Sequence, residues 1–243
     1  MRRPRIYSAQ PLAAHATLEL APEASHHLSR VLRMQAGDAL VLFNGEGGEY
    51  PATIAAIDKR SVTVATEQLI DTVLESPLKL HLGIAMSKGD RMDWIVQKAT
   101  ELGATRIVPL YSERVELKLQ GDRAEKKLEH WRGIAIAACE QCGRNVVPEI
   151  ADVQPLAIWL EQTDADKKFV LHHRSETALD AAERPGSVAL LIGPEGGLSD
   201  VEIAAAERKG YESLRFGPRV LRTETAPLAA ISVLQYVWGD YRK

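Results

Sequence analysis

The stretch GPEGGLS, residues 193–199, combines three glycines with one carboxylate and directly follows an apolar run at 188–193. A helix is predicted to start at Ser199, with Glu202 completing a capping box. Strand, glycine-rich loop and helix is an arrangement that many phosphate-binding proteins use. The carboxylate of Glu195 at the centre of this loop raises the question of which ligand the loop holds.

Phosphate is a poor match for this loop. A P-loop needs two glycines separated by four residues, then a lysine and a hydroxyl residue, and no such string occurs in the sequence. The glycines at 193, 196 and 197 also lack the dinucleotide-binding spacing. Glu195 would repel a pyrophosphate at short range. The alternative that involves no ligand is a tight turn with two glycines at positive φ.

A second loop, FGPRVLRTETA at 216–226, follows soon after and also carries a proline. It contains Arg219 and Arg222, three residues apart, and the residues 223–225 that follow can cap the last helix. Pro227 is tolerated because it falls in the first turn of that helix. Alternatively, this loop binds no ligand and serves only to cap the last helix, with its two arginines exposed to solvent.

The two cysteines, Cys139 and Cys142, form a C-x-x-C pair late in a predicted helix. Redox-active pairs usually lie at the amino end of a helix, and a zinc site needs two further ligands at suitable spacing. We therefore expect two reduced thiols and no metal site.

Composition limits the class of protein. The chain has 243 residues, 45% of them hydrophobic, and a formal net charge of -3, so a coat that is basic throughout is excluded. A local basic patch is not excluded. No apolar run approaches the roughly 20 residues that span a bilayer, and the basic start lacks the apolar core of a secretory signal. We expect a cytoplasmic protein.

The first 73 residues differ from the rest. Short β-type runs at 39–44, 50–57 and 61–68 are separated by turn residues, which predicts a small sandwich or barrel. From residue 74 to 243, apolar strands alternate with helices, which predicts an α/β domain with a mostly parallel sheet. Ligands of such sheets bind beyond the carboxyl ends of strands. Those ends include the two loops above and a third, which begins at Leu171.

Five strings occur in an order that resembles one family: HHLSRVLRM, SKGDRMDWIVQKATELG, ACEQCGR, LLIGPEGGLSDVE and FGPRVLRTETA. The chain resembles the ribosomal RNA small subunit methyltransferase E family of the SPOUT class over essentially its whole length. The resemblance implies methylation of N3 of one uridine in 16S rRNA of the small subunit, with S-adenosylmethionine as cofactor. It also implies a deep C-terminal trefoil knot at 74–243, a PUA-like β-barrel at 1–73 and a homodimer.

The resemblance also answers the question of the ligand, because a carboxylate is tolerable near a sulfonium cation. It implies that backbone groups hold the cofactor, with the glycines permitting close approach. Pro227 departs from the family pattern by removing a backbone donor. The residues that the resemblance assigns to the cofactor are Leu171, His172, Ile192, Gly193, Gly197, Phe216, Gly217, Leu221, Thr223, Thr225 and Ala226.

Methyl transfer to N3 of uridine, which the resemblance implies, makes three residues candidates for catalysis. Arg222 is expected to stabilise negative charge that develops on the uracil ring. Glu195 or Glu224 is expected to accept the N3 proton if burial raises its pKa, although Glu224 can equally be a helix cap. His172 is a third candidate for the base, although lining the wall of the pocket is the role we favour for it.

Cations are concentrated in the first 35 residues, where they are expected to bind RNA phosphates. Lys88, Arg91 and Arg144 extend this set, and Gln141 with Arg144 can alternatively read the base or line the active site. Rival interpretations are a non-catalytic RNA-binding protein and a SPOUT methyltransferase that modifies another nucleoside. The residues predicted to contact RNA are Arg2, Arg3, Arg5, Arg30, Arg33, Lys88, Arg91, Gln141 and Arg144.

Overall fold

The computed structural model describes residues 3–59, 61–72, 74–116, 119, 121–172, 179 and 182–242. The chain divides into two compact units. The first comprises Met1–Glu75 with Ile136–Val147, and the second comprises Ser76–Ala135 with Pro148–Lys243. The predicted boundary near residue 74 stays a prediction. Nothing in the sequence pattern indicated that residues 136–147 pack with the first unit.

The first unit contains a five-stranded sheet, counted over the described residues, in the order β1-β3-β4-β5-β2. The parallel pair is β1–β3, whereas β3–β4, β4–β5 and β5–β2 are antiparallel. A short helix α1 continues as one π-helical turn over His27–Val31. The elements are β1 (Arg5–Tyr7), β2 (Thr17–Glu19), α1 (Pro22–His26), β3 (Ala39–Phe43), β4 (Tyr50–Ile57) and β5 (Val62–Thr66).

The core of the first unit confirms the three β-type runs predicted from the sequence. Leu40 and Leu42 of β3, Ile54 of β4 and Val64 of β5 are buried, and Leu28 packs against them from the helical segment. Each such side chain contributes about 1.5–3 kcal/mol by leaving water. The alternation of buried and partly exposed residues along β5 is the pattern of a sheet with one covered face.

The second unit is an α/β structure, as predicted. Its sheet has the order β12-β10-β11-β6-β7-β8, with β9 also on β7, and every pairing between the described strands is parallel. The strands are β6 (Lys79–Ala85), β7 (Arg106–Tyr111), β8 (Glu149–Ile150), β9 (Gln154–Pro155), β10 (Lys167–Leu171), β11 (Ser187–Ile192) and β12 (Glu212–Leu214). The helices are α2 (Arg91–Glu101), α3 (Asp122–Cys142), α4 (Leu156–Gln162), α5 (Asp200–Arg208) and α6 (Thr225–Val237).

The order of the strands creates a switch point between β6 and β11. The chain leaves β6 towards β7 and β8 on one side, then returns to build β10, β11 and β12 on the other. Ligands of open parallel sheets bind beyond the carboxyl ends of strands at such a point. No described helix is both long and apolar enough to cross a membrane.

The thiols follow the prediction of two free cysteines. Cys139 is buried and Cys142 is half-buried, and no disulfide joins them. Burial raises the pKa of the Cys139 thiol to about 12, so this group stays protonated and unreactive at neutral pH. Among the described residues, no cluster of three or more potential metal ligands occurs.

Gln235 of α6 is a fully buried polar side chain whose hydrogen bonds join three segments of the second unit. Its Oε1 accepts from Ser76 Oγ at 2.6 Å, and its Nε2 donates to the Leu102 carbonyl at 3.2 Å. We expect Gln235→Met to lower the free energy of unfolding by about 1–3 kcal/mol, because both partners lose a buried hydrogen bond. Urea denaturation measures this. Gln162→Met, at the exposed end of α4, is the matched control, and equal midpoints for the two variants would contradict the prediction.

Candidate active site

A cavity of about 640 Å³ opens at the carboxyl ends of three neighbouring strands of the second unit. Its walls are formed by Leu171 and His172 at the end of β10, by residues 192–198 at the end of β11, and by residues 214–216 and 219–224 at the end of β12. Arg91 and Arg114 complete the lining from the segments that follow β6 and β7. The cavity therefore lies at the switch point of the sheet, and its volume is in the range of small-molecule sites.

The glycine loop, defined as residues 193–197, is held tightly at its two ends. A Cβ on Gly193 would lie 2.8 Å from the Leu198 amide nitrogen, so no larger residue fits there without moving the backbone. Gly197 has a φ of +69° and its amide donates to the Pro194 carbonyl at 2.8 Å. The alternative of a ligand-free turn with two glycines at positive φ does not describe this loop, because only Gly197 among its glycines adopts that conformation.

The helix after the glycine loop starts with the predicted capping box. Ser199 Oγ accepts a hydrogen bond from the Glu202 amide, and the Glu202 carboxylate accepts one from the Ser199 amide at 2.8 Å. This pair satisfies two amides that the first turn of α5 leaves free. The start of α5, and with it the exit of the glycine loop, is thereby fixed.

Glu195 projects from the glycine loop into a set of donors. Its Oε1 accepts from Arg91 Nη1 at 2.5 Å and from the Lys88 amide at 3.1 Å. Burial opposes ionisation of this carboxyl, but the hydrogen bonds from its own amide, from Lys88 and from Arg91 outweigh burial and lower its pKa. The condition under which Glu195 was expected to act as a base, a raised pKa, is therefore not met.

Glu224 lies at the start of α6 and lines the same cavity. Its side chain makes no capping hydrogen bond to the helix, so the alternative in which Glu224 serves as a cap is not what the structure contains. Glu224 Oε2 lies 3.6 Å from Arg91 Nε, a longer ion pair than the one to Glu195. The Arg222 carbonyl instead closes this turn by accepting from the amides of Thr225 and Ala226.

Most of the residues predicted to bind a cofactor meet in this cavity. Gly217 and Thr225 are the two that do not line it, whereas the three predicted catalytic residues all do. Sequence reasoning missed several lining residues, among them Arg114, Asp200 and Arg215. The predicted residues that line the cavity are Leu171, His172, Ile192, Gly193, Glu195, Gly197, Phe216, Leu221, Arg222, Thr223, Glu224 and Ala226.

Pro227 lies in the first turn of α6, as predicted, and it is buried. The amides of a helix's first turn have no partner within the helix, so the missing donor costs α6 no internal hydrogen bond. The departure from the family pattern is thus compatible with the fold.

Two arginines predicted to contact RNA are buried in the first unit instead. The Arg5 side chain is 8% exposed, pairs with Glu49, and donates to Asn145 Oδ1 at 2.5 Å. The Arg144 side chain is 6% exposed and pairs with Glu75 at 2.5 Å. The prediction that these two guanidinium groups contact phosphates is wrong for the structure, because both side chains are buried and paired with carboxylates.

The remaining predicted RNA contacts are distributed over both units. Arg3, Arg30 and Arg33 are exposed in the first unit, where Gln141 is exposed as well. Gln141 does not line the cavity, whereas Arg91 does. Lys88 is exposed and its Nζ pairs with Glu116. Arg2 lies outside the described residues.

In a comparison with known proteins, two regions of the chain each match a protein family. Residues 74–235 match the family described as RNA methyltransferase domain, and residues 20–67 match the RNA methyltransferase PUA domain. The ribosomal RNA small subunit methyltransferase E of Buchnera aphidicola (subsp. Acyrthosiphon pisum) is 35% identical over 98% of this chain and 95% of its own length. The chain belongs to the ribosomal RNA small subunit methyltransferase E family.

One further relative and two solved structures agree with this assignment. The Bacillus subtilis ribosomal RNA small subunit methyltransferase E is 32% identical, covering 93% of each chain. The Neisseria gonorrhoeae enzyme, solved bound to S-adenosyl methionine, is 36% identical with a TM-score of 0.93 over 99% of this chain and 100% of that one. A Legionella pneumophila protein, solved with bound SAM, is 42% identical with a TM-score of 0.94 over the same shares.

Proposed function

We propose that this protein transfers the methyl group of S-adenosylmethionine to N3 of one uridine in 16S rRNA of the small ribosomal subunit. The observation that carries the proposal is the cavity at the switch point, which collects the glycine loop, Arg222 and Glu224 in a chain of this family. The test is transfer of labelled methyl groups to small subunits that lack the modification, followed by identification of the methylated nucleoside.

The residues of the cavity fit the cofactor. A Cβ on Gly193 would meet the backbone of Leu198, so this glycine lets the loop close on itself. At Gly197 a Cβ would face open space, so this glycine leaves the loop backbone uncovered for a ligand. The described lining contains no lysine and carries the carboxylates of Glu195 and Glu224, which suits a sulfonium cation better than a phosphate. When bound, S-adenosylmethionine supplies a methyl group on positively charged sulfur. The remaining task of the protein is to align the acceptor nitrogen and to exclude water.

Arg222 is the residue that stabilises charge on the RNA base. Its side chain lines the cavity, and among the described residues no carboxylate forms an ion pair with it. Loss of the N3 proton leaves negative charge on N3 and on the neighbouring oxygens of the uracil ring. A guanidinium with free donors stabilises that charge, so the N3 proton is lost more easily and more of the nucleophilic anion forms.

Glu224 is the residue that accepts the N3 proton. It is free of any capping bond, and its distance of 3.6 Å from Arg91 leaves it less tightly paired than Glu195 at 2.5 Å. The hydrogen bonds that Glu195 accepts lower its pKa, which makes this carboxylate a weak base. His172 forms part of the wall, with its amide donating to the Leu214 carbonyl at 3.0 Å.

RNA binding falls to the exposed cations of the first unit. The exposed Arg3, Arg30 and Arg33 can contact phosphates, which gives affinity without sequence specificity. Arg2 remains a candidate on sequence grounds. The target uridine has to be presented unstacked, because N3 lies on the pairing edge of the base.

The family also supports proposals about architecture. Residues 1–73 form a PUA-like β-barrel domain, and residues 74–243 form a SPOUT domain in which the C-terminal segment is tied in a deep trefoil knot. The protein works as a homodimer in the cytoplasm, on 16S rRNA within the small ribosomal subunit, and it needs no metal ion.

A further inference from the structure

The glycine loop is held by two arginines that come from other parts of the sheet. Arg91 is the first residue of α2, which follows β6, and Arg114 follows β7. Arg91 binds the side chain of Glu195, and Arg114 binds the carbonyl of the next residue, Gly196. Two consecutive residues of the loop are therefore fixed from outside the loop.

Arg91 occupies a position that local helix preferences do not favour. Positive charge in the first turn of a helix is opposed by the helix dipole. Here two carboxylates offset that cost, with Glu195 Oε1 at 2.5 Å from Nη1 and Glu224 Oε2 at 3.6 Å from Nε. One guanidinium thus connects the start of α2, the glycine loop and the start of α6. All three segments border the cavity.

Arg114 makes the second connection. Its Nη1 donates to the Gly196 carbonyl at 2.7 Å, and its Cδ lies 3.4 Å from the point where a Cβ on Gly196 would be. The neighbouring Glu113 amide donates to the Glu202 carboxylate at 2.7 Å, so the same segment also contacts the capping box of α5. The aliphatic part of Arg114 therefore packs on the glycine that its guanidinium holds.

We propose that Arg91 and Arg114 are positioning residues that hold the glycine loop in the shape that receives the cofactor. This inference rests on the proposed function and deepens it. A loop with three glycines has a large conformational entropy to lose when it orders around a ligand. Contacts that order the loop beforehand remove that cost from binding and so increase affinity. Arg91 was expected from the sequence to contact RNA, and the inference gives it this role instead.

The test measures the dissociation constant of S-adenosylmethionine by titration calorimetry on the full chain, without RNA. Arg91→Gln is expected to weaken binding by about tenfold, the loss expected when an ordered loop becomes free. Glu195→Gln is expected to have a similar effect. The double variant should bind no more weakly than either single variant, because the two changes remove one shared contact.

Two further variants separate positioning from general damage to the fold. Arg91→Lys keeps a charge near Glu195 but loses the second contact, and should stay within about threefold of the wild type. Arg114→Gln should weaken cofactor binding through an independent contact. Arg106→Gln is the matched control, since Arg106 pairs with Glu149 at the amino end of β7, away from the cavity, and it should leave the dissociation constant unchanged.

Steady-state kinetics give a second measurement. Arg91→Gln should raise the KM for the cofactor and leave the KM for RNA near the wild-type value, whereas a phosphate contact would do the reverse. If the wild type binds the cofactor and both Arg91→Gln and Arg114→Gln bind within twofold of it, the inference is wrong and the proposed function stands. The inference would also be wrong if the Arg91 and Glu195 double variant lost cofactor affinity by the product of the two single-variant losses. If the wild type binds no cofactor, the proposed function fails and the inference fails with it.

Discussion

Replacement of Arg222 by alanine is expected to lower the rate of methyl transfer by about 10²–10³-fold, the usual cost of removing one preorganised donor to a developing anion. Arg222 lines the cavity and, unlike Arg91, forms no ion pair with a described carboxylate. Its donors are therefore available to the uracil ring. Because the side chain is exposed, its loss should change neither the thermal unfolding midpoint nor cofactor affinity by much.

Single-turnover methylation at saturating cofactor and RNA isolates the chemical step for this variant. Arg208→Ala, an exposed arginine at the end of α5 that does not line the cavity, is the matched control and should retain the wild-type rate. A near-normal rate for Arg222→Ala would remove Arg222 from the mechanism.

The second large effect is expected for Glu224→Gln, which should lower the rate by about 10²–10⁴-fold because an amide cannot accept the N3 proton. The comparison with Glu195→Gln decides which carboxylate is the base. Glu195→Gln weakens cofactor binding, so at saturating cofactor its single-turnover rate should recover to within a few-fold of the wild type. The opposite order, with Glu195→Gln inactive and Glu224→Gln active, would exchange the two roles.

The position of Arg91 explains why the carboxylates of Glu195 and Glu224 can face the same cavity. Two carboxylates near one another raise each other's pKa unless a cation lies between them. Arg91 contacts both, and the pKa of Glu195 is lowered rather than raised. Arg91 lies closer to Glu195 than to Glu224, which leaves the Glu224 carboxylate more available to accept a proton.

Features that depend on neighbouring residues were predictable from the sequence. The capping box of Ser199 and Glu202 involves residues three apart, and the structure contains it. Three of the five described strands of the first unit, β3 to β5, and the parallel sheet of the second follow from apolar periodicity and turn residues. The three loops that line the cavity follow from the rule that ligands bind beyond the carboxyl ends of parallel strands.

Features that depend on distant residues were not predictable. Arg5 and Arg144 look like surface cations in the sequence, but their partners Glu49 and Glu75 lie 44 and 69 residues away. Arg114 reaches the glycine loop across 82 residues, and nothing in its own neighbourhood indicates that contact. Glu224 precedes a helix and so resembles a cap, although its side chain makes no capping bond. Local sequence does not specify which charges meet in three dimensions.

The measurement that tests the central claim most directly is methyl transfer to small ribosomal subunits that lack the modification. The purified protein is incubated with methyl-labelled S-adenosylmethionine, and the RNA is digested and analysed by nucleoside mass spectrometry, with Arg222→Ala as the negative control. We expect label in 3-methyluridine at a single position in 16S rRNA, and labelling at least about 10²-fold slower with the variant. Label in another nucleoside, or no transfer by a protein that binds the cofactor and the subunit, would contradict the central claim.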